Sequence, residues 1–133
     1  MQQVTEPFDP PPAHTAVILF DSAGDLANVR RIAGRTAAEH GLPAHRVAAL
    51  EVAVSEIATN TLRHTRSGGQ LRVWAGGGLV TCEITDGGTY PPRQPAARPS
   101  AGGWGLDIAA EVSDGLHLYS RPGCSIWRLS FLL

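Results

Sequence analysis

The chain is predicted to fold as a two-layer α/β sandwich, a mixed and mostly antiparallel sheet with three helices on one face. Three observations predict it. Apolar runs of strand length occur at residues 15–20, 70–75, 79–85, 115–120 and 125–132. The joins Gly76-Gly77-Gly78 and Arg121-Pro122-Gly123 are short and turn-forming, so two pairs of those runs read as hairpins. Three further segments repeat apolar residues every three or four positions, the period of a helix packed on one side.

The elements follow in order. Residues 1–14 hold Pro7, Pro10, Pro11 and Pro12 and little to bury, and read as a disordered or extended tail. The domain proper is then 15–133, a length that suits one core. Residues 15–20 (TAVILF) are a strand. Ser22 or Asp25 can cap a helix that buries Leu26, Val29, Ile32, Ala33, Thr36 and Ala37. Gly41 is placed to end it, and Pro43 suits the first turn of the next helix. That second helix runs to about His64 and buries Leu50, Val54, Ile57, Ala58, Thr61 and Leu62. Ser67-Gly68-Gly69 is a turn into the first hairpin. Residues 89–101 carry four prolines and two arginines and read as a long exposed loop of the functional kind. Gly102-Gly103-Trp104-Gly105 leads into a short helix with Leu106, Ile108, Ala109 and Val112 inward. The last hairpin closes the chain.

Composition excludes several kinds of chemistry. The formal net charge is −1, which argues against broad electrostatic binding to nucleic acid or an acidic membrane. Every basic residue is Arg, so Walker-type phosphate loops and Schiff-base catalysis are excluded for want of a Lys. Cys82 and Cys124 lie in strand-like runs and read as small buried hydrophobes rather than a disulfide. With no CxxC or HExxH, a structural zinc site is not expected. No apolar run reaches spanning length and the N-terminus is polar and acidic, so a cytoplasmic protein is expected.

Three places carry candidate chemistry. On the second helix Glu56, Asn60 and His64 fall four apart, one above the other. Thr59-Asn60-Thr61 is a poor run for a helix interior, so something other than helix stability keeps Asn60 there. A carboxylate and an amide one turn apart can hold a hard cation and orient a nucleophile; a solvated polar face is the plain alternative. Asp86-Gly87-Gly88 ends a strand, where a carboxylate can accept from an exocyclic amine and glycines let a flat ring approach; a simple turn is the alternative. The glycines at 102, 103 and 105 precede a helix whose free N–H groups could meet phosphate, or they form a flexible join.

Taken together, these segments resemble a known family. The run from Glu56 to His64 (EIATNTLRH) is similar to the N box of the ATPase superfamily of DNA gyrase, heat-shock chaperones, mismatch-repair proteins and histidine kinases. Asp86-Gly87-Gly88 resembles its first glycine box and Gly103-Trp104-Gly105-Leu106 its second. Within that superfamily the chain is most similar to the small anti-sigma factor serine kinases, over roughly residues 17–132. The resemblance implies a Bergerat-type ATP-binding fold. It implies ATP and Mg²⁺ as ligands, with Asn60 on the metal and Glu56 as general base toward a protein serine. Asp86 would bind the adenine amine, with Gly88 and Ser125 beside the base. Gly103, Gly105 and Leu106 would wrap the phosphates, and Arg93 and Arg98 are the cations available in the loop to meet the γ-phosphate.

The implied function is an ATP-binding anti-sigma-type regulator that phosphorylates an anti-sigma factor antagonist and could sequester a sigma factor, working as a monomer or a homodimer. No direct contact with nucleic acid or membrane is expected. Thr89-Tyr90-Pro91-Pro92 replaces the second glycine of the fuller first box. That departure favours the rival reading, a catalytically silent ATP-binding switch that acts on a partner by binding alone.

Overall fold

The structure, a computed structural model, describes residues 1–88 and 106–133. Among these residues six strands form one sheet: β1 (Gln2–Val4), β2 (Ile18–Phe20), β3 (Gly69–Gly76), β4 (Leu79–Asp86), β5 (Gly115–Arg121) and β6 (Cys124–Leu132). Their order across the sheet is β1-β5-β6-β4-β3-β2. All neighbours are antiparallel except β1 and β5, which run parallel. The helices are α1 (Leu26–Glu39), α2 (Ala44–His64) and α3 (Leu106–Val112), with a single 3₁₀ turn, Ala23–Asp25, ahead of α1. Among the described residues no helix is long and apolar enough to cross a membrane.

The cross-strand register explains the core. Leu71, Ile84, Trp127 and Leu118 stand opposite one another, as do Val73, Cys82, Leu129 and Leu116. Because side chains alternate in a strand, these rows share one face. They are buried with Val29, Ala33 and Ala37 of α1, Leu50, Val54 and Ile57 of α2, and Leu106 and Ala109 of α3. The small residues on α1 let α2 approach it closely, and Arg30 of α1 donates to Ser55 Oγ of α2 at 3.1 Å. The last row on the same face is different in kind: Gly69, Asp86, Ser125 and Ser120. An apolar sheet face therefore ends in a polar margin.

The opposite face carries a charged row, Arg72, Glu83 and Arg128, again direct cross-strand neighbours. Arg128 Nε donates to Glu83 Oε2 at 2.8 Å, and an Arg72 guanidinium nitrogen lies 3.6 Å from Oε1. The Arg128 guanidinium also sits over the rings of Phe8 and Trp74 and donates to the Asp9 carbonyl. The stretch before β2 thus runs along the sheet. The sequence reading counts five strands and leaves residues 1–14 as tail. The sixth strand, β1, is made of Gln2, Gln3 and Val4 paired with His117, Leu118 and Tyr119. A backbone ladder needs no apolar alternation, which is why three ordinary residues gave no signal. At the other edge β2 is shorter than 15–20, because only Ile18, Leu19 and Phe20 meet partners on β3.

Cys82 and Cys124 are free thiols; Cys82 is buried, as expected, whereas Cys124, at the start of β6, is only half-buried. Burial holds the Cys82 thiol far above its ordinary range.

Asp114 ties the far end of the helix layer to the sheet. Its Oδ2 accepts from the Leu132 N–H at 2.7 Å and from Arg46 at 2.8 Å, while Arg46 also donates to the Val112 carbonyl and lies over the Phe131 ring. The Leu132 hydrogen bond, and then the Arg46 cation, hold its carboxyl below the ordinary value of 3.8. A lowered folded value means the unfolded chain takes up the proton first as pH falls. The contribution of Asp114 is therefore complete above the ordinary carboxylate range and disappears as pH drops through its folded value. Asp114→Asn is expected to lower the urea midpoint at neutral pH and to flatten its decline below pH 3.8. Parallel declines in the two proteins would show that the carboxylate is not responsible.

Candidate functional site

The second helix brings the chemistry to the polar end of the sheet. Pro43 precedes it with φ −65°, a value that proline imposes and that suits a helix entry. The helix ends where Thr65 turns extended and returns its N–H to the Thr61 carbonyl at 2.9 Å. The three residues of the sequence-level stripe then meet three environments. Glu56 is half-buried, Asn60 is 2% exposed and His64 is exposed. A solvated polar face does not describe this stripe.

Asn60 is the anomaly. Both Nδ2 and Oδ1 are buried and neither has a hydrogen-bond partner among the described residues. Burying an amide without partners costs about 1–3 kcal/mol, and Asn gives nothing back in helix propensity. Evolution normally removes such a group or pairs it. An orphaned carboxamide oxygen is a donor that a hard cation accepts, and Mg²⁺ commonly takes one or two protein oxygens alongside water and phosphate oxygens. The residue therefore fits the metal role that its sequence pattern implies.

Thr61, the next residue, is fully buried, and its hydroxyl donates to Asp86 Oδ2 at 2.9 Å. The sequence reading placed Thr61 in the apolar stripe. It is buried, as expected, but as the link between α2 and β4. The signal was present in principle, since a buried hydroxyl needs a partner, but only the fold shows which partner.

Asp86 is the last residue of β4 and 5% exposed. The ladder holds it between Gly69 and Ser125, one position beyond the expected strand end. Its other oxygen, Oδ1, accepts from the Gly88 N–H at 2.8 Å. The Gly88 carbonyl in turn accepts from Ser125 Oγ at 2.8 Å, and Ser125 Oγ lies 2.8 Å from Ser120 Oγ. The result is a continuous polar chain, Thr61–Asp86–Gly88–Ser125–Ser120, and Asn60 directly precedes its first member along α2. An ionised carboxylate can only accept hydrogen bonds. A ligand group at Asp86 is thus selected for N–H and against C=O.

Of the sequence-level candidates, Asp86, Gly88 and Ser125 are brought together, and Asn60 is the chain neighbour of Thr61, which bonds Asp86. Glu56 stands one helical turn before Asn60 and has no hydrogen-bond or ion partner among the described residues. Leu106 is fully buried and opens α3. Arg93, Arg98, Gly103, Trp104 and Gly105 lie outside the described residues. Thr61 and Ser120 are the additions that sequence reasoning missed.

A cleft of ≈ 440 Å³ opens at the same end of the sheet, lined chiefly by Phe20, Asp21, Asp25, Ser67, Gly68 and Thr85. Among the described residues it meets the polar chain at Asp86, with Gly87 beside it. Its wall is built by Asp25, whose Oδ2 accepts from the Asp21 and Ser22 N–H groups at 2.9 and 3.2 Å. Those bonds hold the Asp25 carboxyl below its ordinary value. Neither Glu56 nor Asn60 lines this cleft, so it is a neighbour of the polar chain rather than its centre.

Comparison with known proteins agrees with this fold. The family described as the histidine kinase-like ATPase domain matches residues 20–131, a span that includes Glu56, Asn60, Asp86, Gly88 and Ser125. The structure of the RsbU and RsbW domains of Rv1364c from Mycobacterium tuberculosis is similar, with a TM-score of 0.69 and 21% identity, covering 92% of this chain and 33% of that one. The histidine kinase AdeS of Acinetobacter baumannii aligns with a TM-score of 0.57 and 12% identity, over 90% of this chain and 68% of that one. The blue-light activated histidine kinase EL346 of Erythrobacter litoralis gives 0.58 and 22%, over 80% and 41%. The chain thus spans about a third of the first of these structures. At such identities the likeness is one of fold. No curated protein matches the chain.

Proposed function

The chain belongs to the histidine kinase-like ATPase domain family, and from that premise we propose that it is an ATP-dependent regulator which phosphorylates a serine or threonine of a small antagonist protein. Membership implies ATP binding. The finer reading, an anti-sigma factor kinase in the cytoplasm, rests on the sequence resemblance and on the fold shared with the RsbU–RsbW structure. A sigma factor and a second copy of the chain are the further partners that resemblance suggests. No nucleic acid or membrane is assigned.

The observation that carries the proposal is the buried amide of Asn60, unpartnered among the described residues, beside Thr61, whose hydroxyl is committed to Asp86. Asn60 offers an oxygen in want of a partner, and the residue after it ties the helix to a carboxylate that would accept from an amine. Asp86 would accept from the exocyclic amine of adenine, held in aim by Thr61 and Gly88. Asn60 Oδ1 would hold Mg²⁺, which when bound neutralises phosphate charge. Glu56, one turn earlier and half-buried, would take the proton of the attacking hydroxyl. The serine oxygen would bond to the γ-phosphorus as the bond from that phosphorus to the β–γ bridging oxygen breaks, its electron pair leaving with ADP, and the hydroxyl proton would pass to the Glu56 carboxylate. Arg93 and Arg98 remain proposed partners for the γ-phosphate.

Two measurements test this. Calorimetry with Mg-ATP is expected to show binding by the parent protein; no heat at millimolar nucleotide would end the ATP reading. Transfer of radiolabelled phosphate to candidate antagonists is expected for the parent. Glu56→Gln should lose it by roughly a hundredfold or more, as loss of a general base does, while still binding ATP. The second reading, a silent nucleotide switch, is favoured by Thr89-Tyr90-Pro91-Pro92 after Gly88. It predicts ATP-dependent partner binding with no transfer by either protein.

A further inference from the structure

The helix-facing side of the sheet ends in a row that breaks its own pattern. At the β5 position two other rows carry Leu116 and Leu118, both buried. The last carries Ser120, opposite Ser125 and next to the turn in which Gly123 takes φ 78°. A serine pair closing that turn is not required by the hairpin, and an aliphatic residue would continue the core. The two hydroxyls nevertheless meet at 2.8 Å, and Ser125 is fully buried.

Proton counting assigns their roles. A hydroxyl has one proton to give. That of Ser125 goes to the Gly88 carbonyl at 2.8 Å. The Ser120–Ser125 bond therefore takes its proton from Ser120. With this bond in place Ser125 Oγ is an acceptor toward Ser120 and a donor toward Gly88, and cannot rotate to another partner without breaking both.

The Gly88 peptide is consequently gripped from two sides. Its carbonyl is held by Ser125, and its N–H is held by Asp86 Oδ1. Loosening the first grip loosens the second, because both act on one short segment beside Asp86. We infer that Ser120 is a positioning residue for nucleotide recognition: by donating to Ser125 it orients the hydroxyl that pins Gly88, and through Gly88 it keeps the Asp86 carboxylate aimed at the base. The inference rests on the proposed role of Asp86 toward adenine, and adds to it a group that itself need touch no nucleotide.

The test compares the parent with Ser120→Ala and Ser120→Thr, using two readouts. One is exchange of the Gly88 amide proton in the nucleotide-free protein, followed by NMR. The other is the ratio of affinities for ATP and ITP, whose base carries a carbonyl in place of the amine. Ser120→Ala is expected to speed Gly88 exchange and to reduce the ATP-over-ITP preference roughly three- to tenfold, the scale of one neutral hydrogen bond. Ser120→Thr keeps the hydroxyl and should restore both. Unchanged Gly88 exchange in Ser120→Ala would overturn the inference whether or not the protein binds ATP. Faster exchange with an unaltered ATP preference would overturn it as well, leaving Ser120 a structural residue. Failure of the parent to bind ATP, with faster Gly88 exchange in the variant, would instead remove the proposed function and with it the nucleotide role of Ser120. If Ser120→Ala does not fold, Ser120→Cys, a weak donor of similar size, takes its place with the same criteria.

Discussion

Asn60→Ala is expected to lose Mg-ATP binding by a hundredfold or more while the nucleotide-free protein melts no earlier than the parent by more than a few degrees. Two effects oppose one another in the free protein. Removing the side chain leaves a small void, which costs stability. It also removes a buried amide with both polar atoms unpartnered among the described residues, worth about 1–3 kcal/mol in the other direction, and replaces a mediocre helix former with the best one. The terms nearly cancel. Asn60→Leu fills the void with apolar atoms and should melt later than the parent. In both variants the metal-binding oxygen is gone, so affinity for Mg-ATP falls. Calorimetry and thermal melts on the same preparations decide it. A collapse of melting temperature in both variants would show that Asn60 holds the fold together rather than waiting for a ligand.

Gly68→Ala is expected to be the most damaging small substitution near the site, at about 3 kcal/mol or more, the sum of a left-handed backbone and an overfilled contact. Gly68 has φ 69°, and a Cβ there would lie 2.1 Å from the Phe20 carbonyl oxygen and 2.7 Å from the Asp21 Cα. Both are backbone atoms, so no rotamer relieves the clash. Gly77→Ala is the matched control: its φ is 63°, but nothing lies within 4 Å of its Cβ position. It should cost only the backbone part, about 1–2 kcal/mol. The damage at 68 should also reach the site, because Gly69 pairs directly with Asp86. Urea denaturation separates the two variants in stability, and ATP binding should fall for Gly68→Ala alone. Equal losses in stability would show that the close approach to Phe20 carries no weight.

Legibility followed the physics of each element. The helix of Asn60 was readable because the 3.6-residue period is strong over 21 residues and its one poor stretch, Thr59-Asn60-Thr61, is visible against it. The hairpins were readable because glycines and a proline mark their turns. Asp86 was legible as a carboxylate at a strand end and Ser125 only through the family resemblance; the ladder makes them direct neighbours. Strand β1 escaped, since three residues held by backbone bonds have no pattern to show. Ser120 escaped because a lone serine near a turn looks like any other.

The amino-acid order by itself determined the layered α/β class, the three helices, the two hairpins, and the run Glu56–His64 with Asp86 as the places where chemistry would sit. These depend on local periodicity and turn residues, which are written in one dimension. The tertiary structure alone decided that Asn60 is buried with no partner among the described residues, that Thr61 is a link rather than packing, that Ser120 stands behind Ser125, and that the charged row of Arg72, Glu83 and Arg128 lies beneath Phe8. Burial and hydrogen-bond pairing arise between residues as far apart as 119 positions, and no window along the chain contains both partners.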